Sequence, residues 1–153
     1  MSGLWSGQAM VLGAPATMGS KRIGRIAGRP VILDNKDARL RSWQGDLRAS
    51  MLESAPDSPL TGPVDVVVTV YLARPTAHFG TGRNAGTLRA SAPRVPIVKP
   101  DIDKVLRAVL DCGTGIWWRD DAQCTWLRIS KRYADDCAPQ TRVGARDAGP
   151  DAP

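Results

Sequence analysis

Apolar residues recur along this chain in two rhythms, and each predicts a different kind of element. Leu40, Trp43, Leu47 and Met51 follow a helical period, so residues 36–54 read as an amphipathic helix opening after Asp34 and Asn35. Trp43 belongs to the apolar stripe; Arg39, Arg41 and Arg48 lie off it, as a solvated face or, less simply, as contacts for nucleic acid. Ile102, Val105, Leu106, Val109 and Leu110 fall at i, i+3, i+4, i+7 and i+8 and predict a second helix. Asp101 stands at its N-cap, placed to accept an orphan backbone N–H, and Gly113 with Gly115 closes it. Residues 64–72 are β-branched almost throughout and apolar at both parities, which predicts a central strand covered on both faces. Shorter strands are expected at 8–12, 30–33 and 125–132, the last with Leu127 and Ile129 on one face.

Between these elements the pattern breaks in two places. Residues 74–97 form a glycine-, proline- and arginine-rich stretch with Arg74, Arg83, Arg89 and Arg94 and no acid, which predicts a mobile basic loop that orders on a polyanion. Phe79 within it reads either as a packing residue or as a wedge between bases. From residue 134 to 153 the chain is rich in Asp, Ala, Gly and Pro and is expected to be disordered. The organisation expected is therefore one domain over residues 1–133 and a tail. Its fold class is mixed α/β, a small mixed β-sheet packed by two main helices.

The 153 residues suffice for one domain with a real core, and the net charge of +6 changes the picture by making a polyanionic partner plausible. Lys21, Arg22 and Arg25, in a glycine-spaced stretch, read as a loop or hairpin touching phosphate or as an ordinary solvated turn. Cys112, Cys124 and Cys137 form no CxxC pair and are an odd set, which argues against a zinc site or a disulfide framework and fits a reducing cytoplasm. No apolar run approaches a membrane span or a signal peptide, so no membrane partner is expected. His78 is the one histidine, leaving little room for imidazole chemistry. Carboxylates and a metal remain. Asp101, Asp103, Asp111, Asp120 and Asp121 are concentrated around the second helix, with Lys99, Lys104 and Arg107 among them. Each has an ordinary explanation: a cap at Asp101, a dipole contact at Asp103, a turn at Asp120 and Asp121. Crowded carboxylates are costly unless a positive charge sits between them, and a divalent metal would serve.

The run Lys99-Pro-Asp-Ile-Asp103, the amphipathic helix ending in Asp111, and Trp118-Arg-Asp-Asp-Ala-Gln123 before a strand together resemble the RusA family of Holliday junction resolvases. The motifs cover residues 98–132. The resemblance implies a homodimeric, Mg2+-dependent endonuclease, with Mn2+ as a substitute ion and no organic cofactor, that nicks four-way or branched DNA symmetrically in a bacterial or phage-infected cytoplasm. By position it makes Asp101, Asp103 and Asp121 the metal-binding catalytic carboxylates, with Lys104 and Arg107 beside them. Lys21, Arg22, Arg25, Arg83, Arg89, Arg94, Lys99 and Lys131 are the expected DNA contacts. The sequence departs from the family pattern at two positions. Lys104 replaces the usual Asn, and Arg107 replaces the helix lysine, keeping its charge but unable to release a proton at working pH. A DNA-binding protein without activity and a less selective branched-DNA nuclease are the alternatives.

Overall fold

The computed structural model describes residues 4–17, 22–33 and 38–149, with side-chain surroundings left out for most of 22–33. Six strands and two α-helices follow in the order β1 (Ser6–Leu12), β2 (Arg22–Ile26), β3 (Arg29–Leu33), α1 (Ala38–Glu53), β4 (Val64–Leu72), α2 (Ile102–Gly113), β5 (Cys124–Tyr133) and β6 (Gln140–Asp147). The main sheet has the order β1-β6-β4-β5. β4 and β5 run parallel, joined by the crossover through α2, while β6 is antiparallel to both β4 and β1. β2 and β3 form a separate hairpin that turns at Ala27 and Gly28, both with positive φ. The mixed sheet and its two helices are the fold class expected.

Both helices cover one face of the sheet. Leu40, Trp43, Leu47 and Met51 of α1 are buried, as their period predicts, against a core that includes Val66, Val68 and Val70 from β4. Trp117 and Trp118 close the end of this core: the Trp117 indole donates to the Met51 carbonyl at 2.7 Å, and the Trp118 ring lies so close to Gly113 that any Cβ there would collide with it. Gly113 thus ends α2 for reasons of space as much as of conformation.

Three expectations need correcting. β4 does lie inside the sheet, but its second face is open: Asp65, Val67, Thr69 and Tyr71 share that face with Arg128 and Arg132 of β5 and Arg142 and Arg146 of β6. Arg146 pairs with Asp65 at 2.7 Å and Arg142 stacks over Tyr71. The tail expected to be disordered from residue 134 contains β6, which lies between β1 and β4. Thr141, Val143 and Ala145 alternate inward and are buried, while the arginines between them face out, so the low apolar content conceals an ordinary strand. The domain accordingly runs past residue 133, through Asp147. In the basic stretch 74–97, two short 3-10 turns, Thr76–His78 and Gly82–Asn84, and a bridge between Phe79 and Leu88 give the backbone local partners. Arg74 is held by Asp135 at 2.7 Å and the Pro93 carbonyl, flat against Tyr133.

Candidate active site

The motif residues are distributed by α2. At its N-terminal end, Lys99 and Pro100 lead in, and the Val105 N–H donates to the Asp101 carbonyl to begin the helix. Asp101 occupies the N-cap position, yet its carboxylate caps nothing; it pairs with Lys104 at 3.1 Å. A salt bridge to the next turn has replaced the expected cap bond. Asp103 and Arg107 stand exposed one turn apart on the outer face of the helix, which Asp111 continues. Lys99, Asp101 and Lys104 share a shallow depression with Arg39 and residues 14–17. The Lys131 ammonium, from β5, donates to the Val98 and Pro100 carbonyls at 2.7 and 3.0 Å and fastens this end to the sheet.

At the C-terminal end of α2, Asp111, Asp120 and Asp121 border a second depression together with Gln44, Arg48 and Thr114. Asp120 is a structural residue. Its carboxylate accepts the Ala122 N–H at 2.8 Å while Gln123 accepts the Asp120 N–H, a reciprocal capping box. Gln123 also donates to the Leu60 and Gly62 carbonyls, which fixes the turn before β5. Asp121 next to it is exposed, and its charge, added to burial, pushes the Cys124 thiol up to about 11. Arg48 donates to the Asp111 and Cys112 carbonyls at 3.4 and 3.0 Å, so this arginine caps α2 and is not simply a solvated face.

The two depressions are separate. α2 has 12 residues, and at about 1.5 Å per residue it carries the chain about 18 Å from Asp101 to the turn holding Asp121. Among the described residues, no three His, Cys, Asp or Glu side chains converge as a metal site would require. Closeness in the motif is therefore not closeness in one chain: Asp101 and Asp103 meet at one end, Asp121 stands at the other. The N-terminal pair alone suits a hard divalent ion such as Mg2+, which takes one or two carboxylates and fills its other positions with waters and substrate phosphate. Lys99, Lys104 and Arg107 beside the pair would balance that phosphate's charge.

Of the expected DNA contacts, Lys21 lies outside the described residues, and Arg22 and Arg25 are placed in β2 by backbone alone. Arg83, Arg94 and Lys99 are exposed. Arg89 donates to the Phe79 carbonyl at 2.7 Å, and half-buried Lys131 is occupied by the two carbonyls named above, so both have structural work in this conformation. The arginines of the open sheet face, Arg142 and Arg146 above all, were not anticipated. The alternation of β6 was the available signal.

A small mixed α/β domain with exposed carboxylates at a helix start, bordered by cations and set on a basic chain, belongs to the class that handles phosphodiesters. The family model described as endodeoxyribonuclease RusA matches residues 13–144, and the chain belongs to that family. It is also similar to the protein described as uncharacterized protein YqaN of Bacillus subtilis (strain 168), 27% identical over 137 residues that cover 90% of this chain and 93% of the relative. Among the described residues, no helix is long and apolar enough to cross a membrane.

Proposed function

We propose that the protein is a Mg2+-dependent, structure-specific endodeoxyribonuclease that resolves four-way DNA junctions by paired symmetric nicks, as a homodimer, in a bacterial or phage-infected cytoplasm. The observation that carries this reading is the family's motif set, Asp101, Asp103 and Asp121 in order and spacing, within a chain matched over residues 13–144. Asp101 and Asp103 would hold the ion, with Asp121 as the third carboxylate. When bound, Mg2+ supplies Lewis-acid polarisation of the phosphate and lowers the pKa of a water. The chain's own residues do the rest. Lys99 and Arg107 grip the scissile phosphate, Arg107 through a bidentate fork, and neutralise charge growing on its oxygens. Lys104 must release Asp101 when the ion enters. Its ammonium, one turn before Arg107, is then the group near the phosphate that can give up a proton.

A labelled four-way junction incubated with Mg2+ or Mn2+ tests this. Paired nicks at symmetric positions are expected from the wild type. Asp101→Asn, Asp103→Asn and Asp121→Asn should each cut at least about 100-fold more slowly while still binding the junction, since a metal ligand is lost and negative charge beside DNA is reduced. Equal cutting of linear duplex would favour a less selective nuclease. The ion pair between Lys104 and Asp101 favours one other reading, a junction-binding protein whose lysine stands where the metal would. Tight junction binding without cleavage in either ion would establish that reading over the enzyme.

A further inference from the structure

The separation of Asp121 from Asp101 and Asp103 coincides with an unfinished side of the molecule. β5 is an edge strand of 10 residues, and among the described residues no strand pairs with its outer edge. Such an edge, about 33 Å of unpaired N–H and C=O groups, is a template for another strand. The helix above it is unfinished in the same direction. Val105, Ala108, Val109 and Cys112 bury the side of α2 towards the sheet and α1, but Leu106 and Leu110 are only half-buried and Ile102 is 37% exposed. On β5 below, Leu127 faces the same layer and is 39% exposed. Where Lys131 ties β5 to the start of α2, Ile97 and Val98 are 79% and 58% exposed. The sequence pattern treats Ile102, Leu106 and Leu110 as core; the single chain leaves them at a margin.

Charge along this margin changes sign. The start of α2 carries Lys99, Lys104 and Arg107 with the positive end of the helix dipole, and its far end carries Asp111, Asp120 and Asp121 with the negative end. A surface that is apolar in the middle and oppositely charged at its ends complements itself under a two-fold rotation.

We propose that two copies join through this side. β5 pairs antiparallel with β5 of the second copy and α2 packs antiparallel on its counterpart, so that Asp121 of the partner subunit faces Asp101 and Asp103. The directions require it. The C-terminal half of β5 lies at the start of α2, through Lys131, and the N-terminal end of β5 follows Asp121. Reversing β5 across a two-fold axis normal to the sheet reverses α2 on the same face, bringing each helix start beside the other's far end. The two four-stranded sheets become one of eight, Leu106, Leu110 and Leu127 are covered, and two composite sites form, each drawing carboxylates from both chains. The role of Asp121 here rests on the nuclease reading above; the interface does not.

Co-expression of Asp103→Asn chains with Asp121→Asn chains tests the arrangement. Every mixed dimer then holds one site with both residues intact and one with neither, whereas sites built within one chain would all lack a carboxylate. About one-quarter of the wild-type sites should reappear in the mixture, since half the dimers are mixed and half their sites are whole. The first readout needs no DNA: tight Mn2+ sites counted by titration calorimetry, absent from each variant alone and regained in the mixture. The second is single, unpaired nicking of a four-way junction, again only in the mixture. Sedimentation should give a dimer for the wild type and a monomer for Leu106→Glu and Leu127→Glu, with near-ultraviolet dichroism of the buried tryptophans showing that both variants remain folded. Regained Mn2+ sites in a protein that cuts no junction would support the interface and remove the nuclease reading instead. A monomeric wild type, or a dimeric wild type that binds Mn2+ or cuts while the mixture regains nothing, would overturn the proposal.

Discussion

Cys112 shows how far a single residue's chemistry is set by its surroundings. It lies at the junction of α2 with α1, almost without solvent contact, its thiol directed at the Gln44 carbonyl. Burial pushes this thiol from 9.0 up to about 12, with Arg48 acting against the shift and Asp111 with it. The folded chain therefore holds the proton more tightly than the unfolded chain does. The resulting stability is fully present below pH 9 and is lost as pH rises from there towards about 12. Cys112→Ala should lack this alkaline loss, so the stability gap between wild type and variant, measured by urea unfolding, should narrow steadily from pH 9 to pH 11. A gap independent of pH would show that the thiol titrates alike in both states. The other residues singled out for chemistry also depend on context. Asp120 looks like Asp121 in sequence, yet one is spent on a capping box and the other is left for a ligand. Neighbouring identical letters gave no sign of that division, which depends on where Gln123 sends its amide.

Among the elements, α1, β4 and α2 were legible because burial repeats along them at the period that the backbone imposes. What periodicity could not supply was which neighbour each face would find. Val67 and Tyr71 read as buried because β4 is apolar on both sides, but both helices went to the other face. β6 was missed for the opposite reason: Gly144 and Ala145 are too small, and Arg142 and Arg146 too charged, to register as a strand until β1 and β4 are seen on either side. The two helices are joined by polar ties as well as by core. Arg48 and Gln44 of α1 reach carbonyls in the last turns of α2. Removing the guanidinium leaves the Cys112 carbonyl without that donor, and Arg48→Ala should cost about 1–2 kcal/mol in chemical denaturation, with Arg48→Lys recovering part of it. No change in the denaturation midpoint would mean that water replaces the arginine at no loss.

On the scale of the whole molecule, the site was legible as a list of residues and illegible as a place. The motifs named the carboxylates correctly as neighbours along the chain, but a rigid helix of 12 residues between them converts that nearness into distance. The domain boundary was misplaced for a related reason, since residues 140–147 are remote in sequence from the strands that they join. A chain ending at residue 139 keeps both helices and the motif residues but loses the strand between β1 and β4. It should show no cooperative thermal transition and no junction binding, whereas one ending at residue 149 should melt as the full chain does. A cooperative transition in the shorter chain would mean that β1 can pair directly with β4.

The position of β6 also bears on biosynthesis. β1 is made first and its only sheet partner is made last, so the N-terminal strand waits through nearly the whole of translation for β6. β4 and β5 can meet earlier, through α2, but they leave one side of β4 unpaired until the same moment. Folding of this chain is therefore a late, post-release event. A basic polypeptide with affinity for DNA would be withheld from its substrate until the ribosome has let it go.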